Sequence, residues 1–130
     1  MVAGLDWAYD LSPLRDDPIN AKGIAYVTHP YSFKRSQPWE PKWEENFGFA
    51  SGQFPIFATE FGFTLGDISM KDNFEYGKAI ITYLEDKGIS WAWWVYDPHW
   101  WPQMIKSWKS HELTDNGKFF KDAADGIIGN

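Results

Sequence analysis

Cysteine is absent from the chain. This excludes a disulfide framework and any thiolate metal site, and it leaves the redox compartment open. No apolar run approaches the roughly 20 residues that cross a bilayer, and the opening Met1-Val2-Ala3-Gly4-Leu5-Asp6 lacks the basic flank and apolar stretch of a signal peptide. Basic clusters are missing too. A formal net charge of −6 with no run of Lys or Arg argues against a nucleic-acid backbone or an anionic membrane as partner. The expectation is a soluble chain, beginning as if inside a strand, that acts on neutral ligands.

Aromatic residues are plentiful. They make up 19% of the sequence and include nine tryptophans, more than a core of this size needs, so some are expected to face a ligand or a partner. Sugar rings are one candidate. The 130 residues suffice for one domain but fall well short of the roughly 250 of a complete eight-stranded α/β barrel.

Four short apolar runs read as buried strands: Met1 to Leu5, Gly23 to Thr28, Phe54 to Ala58 and Ile89 to Val95. Between the last two, Phe74, Ala79, Ile81 and Leu84 recur at near-helical spacing, Ser69 with Asp72 offers an N-terminal cap, and Gly88 closes the segment, so a helix is expected from about Met70 to Lys87. A shorter helix is expected to start at Pro38, with Trp39, Trp43 and Phe47 on one face. After the last strand comes a loop rich in Trp and Pro. A final helix then starts at Thr114 and Asp115 and ends at Ala124 before Gly126. Residues Tyr9 to Lys22, with Pro13 and Pro18, leave room for little more than one turn. Alternating strands and helices predict a single α/β domain with a parallel sheet and right-handed crossovers. Four such units are half a barrel.

In parallel barrels the reactive groups stand at the C-terminal ends of strands. The third run, Phe54-Pro55-Ile56-Phe57-Ala58-Thr59-Glu60-Phe61-Gly62, delivers a carboxylate at its tip with a glycine two residues later, which makes Glu60 the leading catalytic candidate. An arbitrary Glu merely begins a loop, because charged side chains mostly lie exposed; the apolar strand before Glu60 sets it apart. The second run ends Thr28-His29-Pro30-Tyr31. Alone, these could be a core histidine satisfied by a carbonyl and a tyrosine packed at the rim. In Ser90-Trp91-Ala92-Trp93-Trp94-Val95, strand alternation sends Trp91 and Trp93 to one face and Trp94 to the other. Either Trp94 or, with a one-residue slip of register, Trp93 faces the ligand. Trp39, Trp100 and Trp101 are candidates for outer subsites, with helix packing an equal explanation. Asp97-Pro98-His99 and His111-Glu112 do not converge enough liganding groups for a metal, so neither a metal nor another cofactor is expected.

Held together, these strand ends resemble glycoside hydrolase family five. In that family the sixth strand ends in His-x-Tyr, matched by His29 and Tyr31. The seventh ends in the nucleophilic Glu of Glu-Phe-Gly, matched by Glu60. The eighth ends in a Trp that floors the sugar, matched best by Trp94. Gly4-Leu5-Asp6-Trp7-Ala8-Tyr9-Asp10-Leu11 is similar to the fifth strand and its loop, so the resemblance spans essentially the whole chain as the C-terminal half of a (β/α)8 barrel. It implies retaining hydrolysis of a β-1,4-glucan, in which Glu60 attacks the anomeric carbon while a second carboxylic acid protonates the leaving oxygen. Tyr31 would donate a hydrogen bond to the ionised Glu60, and His29 would orient that network or hold a sugar hydroxyl. The family's location would be extracellular or periplasmic.

One departure stands out: the family's acid/base Glu follows an Asn on the fourth strand, and no Asn-Glu pair occurs in these residues. A half barrel also exposes two strand edges, and a two-fold homodimer would restore eight strands. There Asp97 of the second copy would approach Glu60, with Asp6 a weaker donor. A glucan-binding module without turnover, and a half that recruits a complementary half, are the competing readings. Which β-glycan is bound is a matter for the loops.

Overall fold

The computed structural model describes residues 1–63 and 73–126. Its frame is a four-stranded sheet in the order β1 (Val2–Ala3), β2 (Tyr26–Thr28), β3 (Ile56–Ala58) and β4 (Ser90–Trp91). All three pairings are parallel. The strands are shorter than the apolar runs that announce them. Beyond β4, Ala92 N still donates to Ala58 O at 2.8 Å and Trp94 N to Phe61 O at 3.1 Å, so that segment stays beside β3.

The crossovers place helices against one face of the sheet. α2 (Glu40–Asn46) follows β2, α3 (Asn73–Asp86) follows β3 and α4 (Asp115–Ala124) follows β4. α2 starts later than its sequence suggests. The proline in its first turn is Pro41, while Pro38 lies ahead of the helix in an exposed loop. The start expected near Met70, with Ser69 and Asp72 as cap, falls outside the described residues. The far end agrees: α3 closes at Gly88, whose φ of 63° is a left-handed exit that glycine takes without steric cost. α4 is capped as anticipated, with Thr114 Oγ1 accepting from Gly117 N at 3.1 Å. Tyr9 to Lys22 holds only a 3-10 turn, Ser12–Arg15.

Between sheet and helices lies an aromatic core. Ile56 and Ala58 of β3, Tyr26 of β2 and Trp91 of β4 face Trp43, Phe47, Ile80, Ile81, Leu84 and Phe120 from the helix layer. Each fully buried aliphatic or aromatic side chain contributes about 1.5–3 kcal/mol. The opposite, concave face carries the register row Ala3, Val27, Phe57 and Ser90. Among the described residues no strand pairs with the outer edge of β1 or of β4.

The β1 exit is unusual. α1 (Leu5–Ala8) is not a right-handed helix, because Asp6, Trp7 and Ala8 have φ of 51°, 52° and 65°. Three consecutive non-glycine residues in the left-handed region each cost about 1–2 kcal/mol, so the surrounding bonds must hold them.

Candidate active site

The C-terminal ends of β1, β2 and β3 open on one cleft of about 820 Å³, lined by Ala3, Gly4, Trp7, Ala8, His29, Tyr31, Phe33, Lys34 and Glu60. Thr28 pairs with Ala58, so the residues just past them emerge side by side. His29 Nε2 meets Thr59 Oγ1 at 2.8 Å, and Tyr31 Oη donates to Glu60 Oε2 at 2.9 Å. His29 Nδ1 stands 3.8 Å from the same carboxylate oxygen. Glu60 keeps about a third of its side-chain surface exposed, at 34%, so it is both held and reachable.

Burial, reinforced by the hydrogen bond to Glu60 and its charge, pushes the Tyr31 phenol well above its ordinary value. Tyr31 therefore remains a donor through the neutral range. Burial pulls the His29 imidazole below its usual value; the Glu60 carboxylate opposes that shift and Lys34 adds to it. His29 is thus a neutral partner at neutral pH.

Support comes from behind. Tyr76 of α3, fully buried, donates to Pro30 O at 2.7 Å, fixing the carbonyl between His29 and Tyr31. Past Glu60, a side chain at Gly62 would lie 3.0 Å from Pro102 Cγ and 3.3 Å from Tyr31 Cε1, so the glycine lets the strand end pass between two loops. That close approach suits a glycine two residues after the carboxylate.

His29, Tyr31 and Glu60 are brought together, whereas the tryptophans expected at the site divide. Trp39 is 8% exposed and packs on Trp43 and Tyr76 in the core; it is a helix-layer residue and not a sugar contact. Trp93 packs against Phe61, Phe63 and Phe120 on the helix side, which corrects its assignment as a ligand-facing residue. Trp94 has the opposite orientation and meets Trp100 edge-on, with ring centroids 6.0 Å apart. Both stand on the β4 side, beyond the residues that line the cleft. Asp97 Oδ1 accepts from His99 N at 2.7 Å and Trp100 N at 3.1 Å, so the carboxylate shapes its own loop. Trp101 is about half exposed. Among the described residues no group of three or more His, Asp or Glu side chains is placed to hold a metal, and no helix is long and apolar enough to cross a membrane.

Four residues at the site are not among those the sequence marks as site candidates: Trp7, Phe33, Lys34 and Thr59. Thr59 was readable in principle, since it alternates with Phe57 on the concave face and so falls beside His29. Trp7 and Lys34 depend on the left-handed turn, which nothing in Asp-Trp-Ala announces.

Comparison with known proteins places the sequence and the fold. Residues 1–100 match Cellulase (glycosyl hydrolase family 5). A beta-glucanase from Saccharophagus degradans is 39% identical and superposes with a TM-score of 0.86 over 97% of this chain and 41% of its own. The same enzyme in complex with cellotetraose gives 38% identity and the same TM-score and coverage. The catalytic domain of the major endoglucanase from Xanthomonas campestris pv. campestris shares the fold at 21% identity and a TM-score of 0.76, over 92% of this chain and 39% of that one. The chain thus spans about two fifths of the length of these barrel enzymes, and its four parallel strands are a part of a (β/α)8 barrel. By its matching sequence, and by a sheet whose strand ends gather His29, Tyr31 and Glu60, the chain belongs to glycosyl hydrolase family 5.

Proposed function

We propose that the chain supplies the nucleophilic half of a retaining glycoside hydrolase acting on β-1,4-glucan. The observation that carries this reading is the Tyr31–Glu60 hydrogen bond at the mouth of a parallel sheet, in a chain of family 5. Glu60 attacks the anomeric carbon and forms a covalent glycosyl-enzyme, which water then hydrolyses. Tyr31 holds the carboxylate in its attacking orientation, and His29, neutral and tied to Thr59, positions a sugar hydroxyl or the carboxylate itself. Trp94 floors the sugar at the cleaved bond, with Trp100 and Trp101 serving outer subsites and Asp97 holding the loop that carries Trp100. The cellotetraose bound by the Saccharophagus degradans enzyme supports a β-glucan oligosaccharide as ligand.

Among the described residues lining the cleft, Glu60 is the one carboxylate. The proton donor to the leaving group therefore comes from outside this set. We assign it to the rest of the barrel, supplied by a longer chain of which this is a part, by a complementary half or by a second copy. The unpaired edges of β1 and β4, and an apolar groove of about 140 Å³ at the β1 edge lined by Val2, Leu5, Leu14 and Tyr26 among others, suit a homodimer that closes the ring.

The test is reducing-sugar release from carboxymethylcellulose and barley β-glucan by the purified chain, alongside Glu60→Gln and a native mass. Turnover lost in Glu60→Gln and carried by a species of dimer mass supports the whole reading; turnover by a monomer removes the dimer. Cellotetraose binding without product at any mass leaves a glucan-binding module, the reading that the single carboxylate of the cleft favours as an alternative.

A further inference from the structure

His29 stands between a hydroxyl and a carboxylate. Nε2 of its ring meets Thr59 Oγ1 at 2.8 Å, and Nδ1 lies 3.8 Å from Glu60 Oε2. The placement follows from register: Thr28 and Ala58 are partners in the sheet, so the next residue of each strand emerges beside the other at the rim. The backbone holds the histidine in place, since His29 N donates to Ala8 O at 3.1 Å. Lys34, tied to Asp6 O at 2.8 Å and to Asp6 Oδ1 at 3.0 Å, adds its charge to burial in disfavouring the imidazolium, against the pull of Glu60. A neutral imidazole carries one N–H and one bare nitrogen. Which nitrogen holds the proton is decided by what each one faces.

The two arrangements differ in electrostatics. With the proton on Nε2, Thr59 Oγ1 accepts it, and the lone pair of Nδ1 is turned toward the carboxylate oxygen, so two electron-rich groups face each other. With the proton on Nδ1, an N–H dipole points at the charge of Glu60. The hydroxyl of Thr59, which can donate as well as accept, then gives its proton to Nε2. A separation of 3.8 Å is longer than a hydrogen bond, yet the attraction between a dipole and a charge in a partly buried cleft reaches beyond that length. Tyr31 Oη donates to the same Oε2 at 2.9 Å, so both groups address one carboxylate oxygen. The β-branch of Thr59 suits a strand end as that of valine would; the hydroxyl is the part that the strand does not require.

We propose that Thr59 is a positioning residue: its hydroxyl donates to His29 Nε2, which places the ring proton on Nδ1 and aims that N–H at Glu60 Oε2. The proposal rests on the reading of Glu60 as the nucleophile and narrows it. Of the two tasks open to His29, holding a sugar hydroxyl and orienting the carboxylate, the second is set in the unliganded chain. Thr59 touches no reacting atom; it acts through His29.

The test reads the tautomer directly. The full chain is isotopically labelled at the histidine nitrogens, and ring nitrogen–proton correlations are recorded at neutral pH without ligand, with His29→Asn identifying the His29 signals among those of three histidines. A bare ring nitrogen resonates far downfield of a protonated one. Wild type should show Nδ1 protonated and Nε2 bare. Thr59→Val should move His29 toward the Nε2–H form, and Thr59→Ser should restore the wild-type pattern. An Nε2–H tautomer in wild type, or an unchanged Nδ1–H tautomer in Thr59→Val, would overturn the proposal. If Thr59→Val does not fold, the wild-type and Thr59→Ser spectra decide, and Nε2–H in either overturns it. On soluble β-glucan, Thr59→Val should lower kcat about two- to tenfold with KM nearly unchanged, and Thr59→Ser should recover most of the loss. Wild-type kcat in Thr59→Val would remove the role in turnover. No sugar release by wild type overturns the hydrolase reading, while the tautomer still stands or falls on the spectra.

Discussion

Tyr31 Oη and Glu60 Oε2, 29 residues apart in the chain, meet at 2.9 Å because Thr28 and Ala58 are partners in the sheet. The contact is a property of strand register: a slip of one residue would turn one of the two groups to the other face.

Tyr31→Phe removes the hydroxyl and little else. A hydrogen bond to a charged group contributes about 1.5–3 kcal/mol, so glucan turnover should drop about ten- to a hundredfold with circular dichroism unchanged. Wild-type rates in this variant would show that Glu60 needs no orienting donor.

Glu60→Gln keeps the shape of the side chain and removes its charge. Turnover should vanish while cellotetraose affinity stays within a few-fold of wild type, as measured by calorimetry beside the rate assay.

His29 gives a pH dependence with a definite sign. Burial depresses its folded value below the ordinary imidazole value of about 6.5. The unfolded chain therefore binds the proton first as pH falls. The stabilisation is fully present above about pH 6.5 and is lost on acidification toward the folded value. Urea midpoints measured between about pH 7 and about pH 5 should fall less steeply in His29→Asn than in wild type.

Thr114 bridges two segments, accepting from Gly117 N and donating to Gln103 O at 2.6 Å. Thr114→Ala should cost about 1 kcal/mol or somewhat more, read as a lowered urea midpoint. Gly117→Ala should cost more, about 1–3 kcal/mol, since the new methyl would collide with the carbonyl of Met104 and backbone does not rotate aside as a side chain can.

The meeting of Glu60 and Tyr31 was legible because it depends on strand ends. Glu60 and Tyr31 terminate apolar runs, and an apolar run in a parallel sheet points its last residues at one rim. The final helix was legible for a similar local reason, the Thr114 cap. Trp39 misled because tryptophan in a loop before a helix suits a ligand and a core equally well; its ring ended against Trp43 and Tyr76. Trp93 and Trp94 were separable only by alternation, and the structure keeps the alternation. The Trp7 turn was invisible because left-handed backbone is read from glycine or asparagine, and here its cause lies near residue 34, in contacts that no local pattern encodes.

Gly62 has a consequence for anyone seeking to change the substrate range of this fold. With Pro102 and Tyr31 closing in on it, any side chain at position 62 has to press on the proline ring or on the tyrosine that holds Glu60, so that codon is a poor place to randomise. Diversity belongs instead at Trp100, a residue 64% exposed, rather than at Phe33, which stacks on the Tyr31 that holds the carboxylate.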